Sequence, residues 1–132
     1  MHFALVVSAA PDPAALPLRF ATAVLAAGHA LGRVFFLRDG VRHGEPGTEF
    51  AAAWQALQAR HPALELALCI GAAERRGIPA TEEAGRATPL EPTSMQGIVQ
   101  PGFVHVGLGQ LVAALAEAER VVDFPATADT RP

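Results

Sequence analysis

The sequence predicts an α/β fold, a single-domain parallel β-sheet flanked by helices on both faces. Three observations carry this expectation. Phe3 to Val7, Val34 to Leu37 and Glu65 to Ile70 are short, near-continuous apolar runs, the pattern of strands covered on both sides. Segments with helical spacing of apolar residues separate these runs, and that alternation marks strand–helix–strand units. With 132 residues, 51% of them apolar, the chain can bury a core without disulfide or metal staples. No internal repeat or composition break divides it, so residues 1–124 are expected to form one domain and residues 125–132 a flexible polar tail.

After the first strand, Ser8 to Leu16 is rich in proline and alanine and reads as a loop. Pro17 suits a first helical turn, Phe20, Val24 and Ala27 follow on one face, and Gly28 is placed to cap the end. Val34 to Leu37 is the second strand. Arg38 to Gly47, with three glycines and alternating charges, is expected to be an exposed loop. Thr48 is a natural N-cap, Glu49 complements the dipole behind it, and Phe50, Ala53, Trp54 and Leu57 form the buried stripe of a second helix that Pro62 stops. Glu65 to Ile70 is the third strand, and Ala72 to Arg76 a short helix closed by Gly77 and Pro79. Residues 80–102 show little periodicity beyond a turn of helix at Thr81 to Ala84, and a loop of this length is usually functional or ordered by a partner. Leu108, Leu111, Val112 and Leu115 mark the last helix, and Arg120 to Phe124 the last strand.

Composition removes several classes of function. The formal net charge is −3 without any block of like charge, so neither nucleic acid nor an anionic membrane surface finds an electrostatic footprint. The N-terminal apolar run lacks a cationic start and ends within a few residues, and Gly28, His29 and Gly32 interrupt the best candidate for a spanning segment. No signal peptide or membrane span is expected. One cysteine cannot form an internal disulfide, which suits the reducing cytoplasm. The five histidines, at positions 2, 29, 43, 61 and 105, show no metal spacing, so no metal site is expected.

That single cysteine is the candidate catalytic residue. Cys69 closes the third strand and stands where a short helix begins, at the carboxyl edge of the sheet, where open α/β folds gather their reactive groups. Backbone N–H groups at a helix start favour the thiolate, and Arg75 and Arg76 follow within two turns. The competing reading is packing, because free cysteine is among the most buried residue types. With no second thiol to resolve a disulfide, a reactive Cys69 suits a relay, in which one sulfur accepts and then surrenders another. His105 is a candidate proton partner across the crevice. His29 is explained by a helix end, His43 and His61 by solvated loops, and Trp54 by the core. Gly107-Leu108-Gly109 lacks the third glycine of a dinucleotide fingerprint, since Val112 occupies its place, and the first loop lacks the hydroxyls and glycines of a phosphate cradle. No cofactor is expected.

Taken together, these segments resemble the DsrE/TusD family of sulfur-relay proteins. The resemblance runs through Phe3 to Val7, Gly28-His29-Ala30-Leu31, Val34 to Val41 and Ala53-Trp54-Gln55. It continues through Leu68-Cys69-Ile70 with Ala72-Ala73 and Arg75-Arg76-Gly77-Ile78, then Glu83 to Arg86, Gly102-Phe103, Gly107 to Leu111 and Arg120 to Phe124. It implies a cytoplasmic sulfurtransferase subunit in which Cys69 carries a persulfide. The implied donor is a TusA-like carrier and the implied acceptor a TusE-like protein, for 2-thiouridine formation in tRNA. The companions would be TusB- and TusC-like subunits in a heterohexamer, or further copies of the chain in a homo-oligomer. Two alternatives remain open at this level: a DsrE-like subunit in sulfur oxidation, and a non-catalytic structural subunit with Cys69 buried.

Overall fold

The computed structural model describes residues 1–78 and 103–126, apart from the side chains of Leu108 and Gln110. In chain order the elements are β1 (His2–Val7), α1 (Leu16–Ala26), β2 (Ala30–Phe36), a 3₁₀ helix (Arg38–Gly44), α2 (Glu49–Arg60), β3 (Glu65–Cys69), α3 (Ile70–Arg75), β4 (Phe103–Val106), α4 (Leu108–Glu117) and β5 (Arg120–Phe124). The strands form one parallel sheet in the order β4-β3-β2-β1-β5. The expected turn at Thr81 to Ala84, the irregular stretch from 80 to 102 and most of the C-terminal tail lie outside the described residues.

Alternation along the strands divides the core in two. Leu5, Val34, Phe36, Leu66, Leu68 and Phe103 pack with Ala21 and Val24 of α1, Ala51, Trp54 and Leu57 of α2, and Ala72 and Ala73 of α3. Phe35, Ala67 and Val106 pack with Ala114 of α4 on the other face. Right-handed crossovers require this arrangement. The steps from β1 to β4 all move one way across the sheet, while the return from β4 to β5 runs the other way and must cross the opposite face.

Local chemistry sets the helix ends. Gly28, at φ 89°, adopts a left-handed conformation after α1 that lets the His29 N–H reach the Val24 carbonyl at 3.2 Å. At the start of α2 the Thr48 hydroxyl oxygen accepts from the Ala51 N–H at 3.2 Å and donates to the Glu45 carbonyl at 2.8 Å.

One strand was not anticipated and one expectation needs correction. β4 was not apparent, because Phe103 to Val106 spans only four residues, and it is pairing with β3 that makes it a strand. The segment Arg38 to Gly47 is no exposed loop. Its first part is a 3₁₀ helix with Gly40, Val41, His43 and Gly44 buried, laid over the carboxyl edge of the sheet. Gly40 lies so close to β1 that a Cβ there would stand 1.9 Å from the Val7 carbonyl oxygen. Smaller shifts also occur: β2 begins at Ala30, whose N–H bonds the Met1 carbonyl at 3.0 Å, and Ile70 belongs to α3.

Gly40→Ala is expected to cost about 3 kcal/mol or more, because the clash is with backbone that cannot turn away. Gly47→Ala, where the conformation is also left-handed but nothing lies within 4 Å, should cost only about 1 kcal/mol. Urea unfolding of the two variants checks the contrast.

Candidate functional site

Cys69 is the last residue of β3 and the N-cap residue of α3. Register places it beside Val106, the last residue of β4. From this pair the chain leaves in opposite directions: α3 packs into the core on the α1 and α2 face, whereas α4 packs on the other. Adjacent strands whose exits diverge in this way leave a crevice beyond their carboxyl ends, the usual place for a reactive group in an open α/β sheet. Cys69 is half-buried and packs against the larger core cluster, so its backbone is anchored while the residue retains some exposure.

α3 is braced from its far end. The Arg76 guanidinium donates from Nε to Asp39 Oδ1 at 3.0 Å and from Nη1 to the Ala72 carbonyl at 3.1 Å, tying the helix to the 3₁₀ segment. Gly71 leaves room above the first turn, where a Cβ would lie 3.6 Å from Nη1 of Arg75. Arg76 therefore serves the scaffold, while the exposed Arg75 keeps its charge over the helix that Cys69 opens.

The 3₁₀ segment is held down by His43, which is 3% exposed and not the solvated loop residue expected. The indole N–H of Trp54 donates to His43 Nδ1 at 3.1 Å, so the ring proton sits on Nε2 and is donated to the Ala9 carbonyl at 3.2 Å. Burial dominates its titration and lowers the pKa from 6.5 to about 4, against smaller raising effects of the Ala9 carbonyl and the Asp12 charge. Phe36 completes the cluster, with ring centroids 5.3 Å from His43 and 5.2 Å from Trp54.

His105 is 2% exposed, and in β4 it pairs with Leu68 rather than with Cys69. Alternation along β4 sends it to the face opposite Val106, the residue paired with Cys69. His29 lies at the amino edge of the sheet, its Nδ1 3.3 Å from the N-terminal amine, and His61 is the half-buried C-cap residue of α2. Gly107 and Gly109 are exposed at the start of α4. Among the described residues no group of three His, Cys, Asp or Glu could hold a metal ion, and no helix is long and apolar enough to cross a membrane.

A parallel sheet with helices on both faces and a lone free thiol at a strand end, where neighbouring strands diverge, places the protein among open α/β folds. The comparisons narrow this class. The model of the DsrE/DsrF-like family matches residues 1–124. Sulfurtransferase TusD from Salmonella dublin, and its counterparts from Salmonella enteritidis PT4 and Salmonella gallinarum, are 43% identical to this chain over 81% of its length and 84% of theirs. In three dimensions the ychN protein from E. coli superposes with a TM-score of 0.68 at 22% identity, covering 94% of this chain and all of its own. MTH1491 from Methanobacterium thermoautotrophicum reaches the same score at 12% identity, covering 92% of this chain and 97% of its own. The chain belongs to the DsrE/DsrF-like family, and its kinship within that family is with sulfurtransferases.

The His43 arrangement predicts a pH dependence of folding. Between pH 6.5 and about 4 the unfolded chain holds a proton on this imidazole that the folded chain does not, so stability falls as pH drops through that window. The loss is on the order of 3 kcal/mol, and above pH 6.5 this contribution is constant. Denaturation midpoints across the range should show a steeper decline for wild type than for His43→Gln. Trp54→Phe, which leaves Nδ1 without its donor, should cost about 2 kcal/mol at neutral pH.

Proposed function

We propose that the protein is a persulfide carrier in which Cys69 is the catalytic residue. The single observation that carries this reading is the place of Cys69 at the divergence of β3 and β4, half-buried and anchored by backbone on both sides. Its kinship with sulfurtransferases supports the same chemistry.

In the first step the Cys69 thiolate attacks the outer sulfur of a donor persulfide. A new S–S bond forms at Cys69, the donor's S–S bond breaks, and the donor cysteine leaves as a thiolate. In the second step an acceptor thiolate attacks the outer sulfur now on Cys69, and Cys69 is the leaving thiolate. Sulfur moves as a neutral atom equivalent between thiolates, so the relay needs neither an oxidant nor a redox cofactor. Because both donor and acceptor must reach one atom in turn, the exposed side of the crevice is the docking face for each.

By analogy with its relatives, the donor is a TusA-like carrier, the acceptor a TusE-like protein, and the end product the 2-thiouridine of tRNA, made in the cytoplasm. TusB- and TusC-like subunits, or further copies of this chain, complete the assembly around residues 1–124. The same relay in sulfur oxidation is the second reading, favoured by the match to the DsrE/DsrF-like model rather than by any feature of the thiol.

Full-length protein incubated with a carrier charged by a cysteine desulfurase should gain the mass of one sulfur atom, and dithiothreitol should remove it. Cys69→Ser should gain none while keeping the wild-type fold. An equal mass gain in Cys69→Ser, or none in wild type with any charged carrier, would leave only an architectural role.

A further inference from the structure

Away from Cys69, the first loop, α1 and α2 enclose an open cavity of about 370 Å³. Its size falls within the range of about 300–1,000 Å³ typical of small-molecule sites. Leu18, Phe50, Ala53 and Trp54 supply its apolar wall, and Asp12 and Glu49 bring carboxylates to it. The remaining ionisable group in the lining is His43, whose two ring nitrogens are committed to Trp54 and Ala9. Among the described residues neither carboxylate has a cationic partner: the ion pairs formed are Arg33 with Glu65, Arg42 with Glu45 and Arg76 with Asp39. Asp12 is also held in place, its Oδ1 accepting from the Ala14 and Ala15 N–H groups at 2.8 and 3.1 Å. With His43, Asp12 borders a second cavity of about 260 Å³ that reaches Leu16 and Phe124.

We propose that this cavity is a binding site for a small organic cation, a primary ammonium group carried on an aromatic or alkyl body. The apolar body fills the space beside Trp54 and Phe50, and the ammonium group lies between Asp12 and Glu49. Anionic ligands such as phosphates or carboxylates meet two like charges and, among the described residues that line the cavity, no Lys or Arg. The site is independent of sulfur transfer, since none of its lining residues belongs to β3 or α3.

The chain has one tryptophan, and it lines this cavity, so its fluorescence reports occupancy directly. Titration of the full chain with 2-phenylethylamine should give a saturable change with a dissociation constant on the order of 1 mM. The anion of similar shape, 3-phenylpropionate, should give none. Asp12→Asn and Glu49→Gln should each weaken binding about threefold, and Ala53→Leu, which fills the wall, should abolish it. Saturation-transfer NMR on the amine provides a readout that does not depend on the indole. Equal response to amine and carboxylate, an unchanged affinity in the Asp12→Asn/Glu49→Gln double variant, or no saturable binding by either method would overturn the proposal. Sulfur loading of Cys69, measured on the same variants, should be unchanged, and a failure there bears on the relay alone.

Discussion

A neutral imidazole joins three parts of the chain that sequence separates. His43 accepts from Trp54 on α2 and donates to Ala9 in the first loop, and the ring stacks beside Phe36 at the end of β2. The Ala9 N–H in turn reaches the Phe124 carbonyl at the end of β5, at 3.2 Å. One ring thus links α2, the 3₁₀ segment, the first loop and, through that loop, the far edge strand. Only the neutral tautomer with its proton on Nε2 satisfies both partners, because a second ring proton would face the indole N–H. The arrangement trades tolerance of acid for a closed carboxyl edge.

That closure bears on Cys69 through backbone packing. The 3₁₀ segment lies against Val7 through Gly40 and against Leu68 and Phe103 through Gly44, where an added Cβ would stand 3.0 Å from both side chains. Asp39 then reaches across to Arg76 at the end of α3. The thiol sits at the start of a helix whose other end is tied to the same strap. An exposed ion pair of this kind contributes under about 1 kcal/mol to stability, so its main effect is on where α3 points. The core below, with Leu66 and Leu68 almost wholly buried, supplies the rigidity.

Most of the architecture was legible from local pattern. The apolar runs at Phe3 to Val7 and Glu65 to Cys69, the Thr48 cap and the Gly28 stop each act within a few residues of where they stand, and each appears in the structure. Cys69 was legible for the same reason, as a lone thiol at the end of an apolar run before a helix. His43 was misread because its own neighbours, Arg42 and Gly44, look like loop residues. The signal that could have found it was the pair of closely spaced glycines, Gly40 and Gly44, which mark backbone pressed against backbone as readily as they mark a turn. β4 offered no such signal.

Residue order alone set the α/β class and the place of the single thiol at a strand end, because these depend on periodicity, composition and nearest neighbours. Which strand sits beside which was decided only on folding. The pairing of Cys69 with Val106, that of His105 with Leu68, and the burial of His43 all rest on contacts between segments tens of residues apart. Such contacts depend on register and crossover handedness, which no local stretch of sequence encodes.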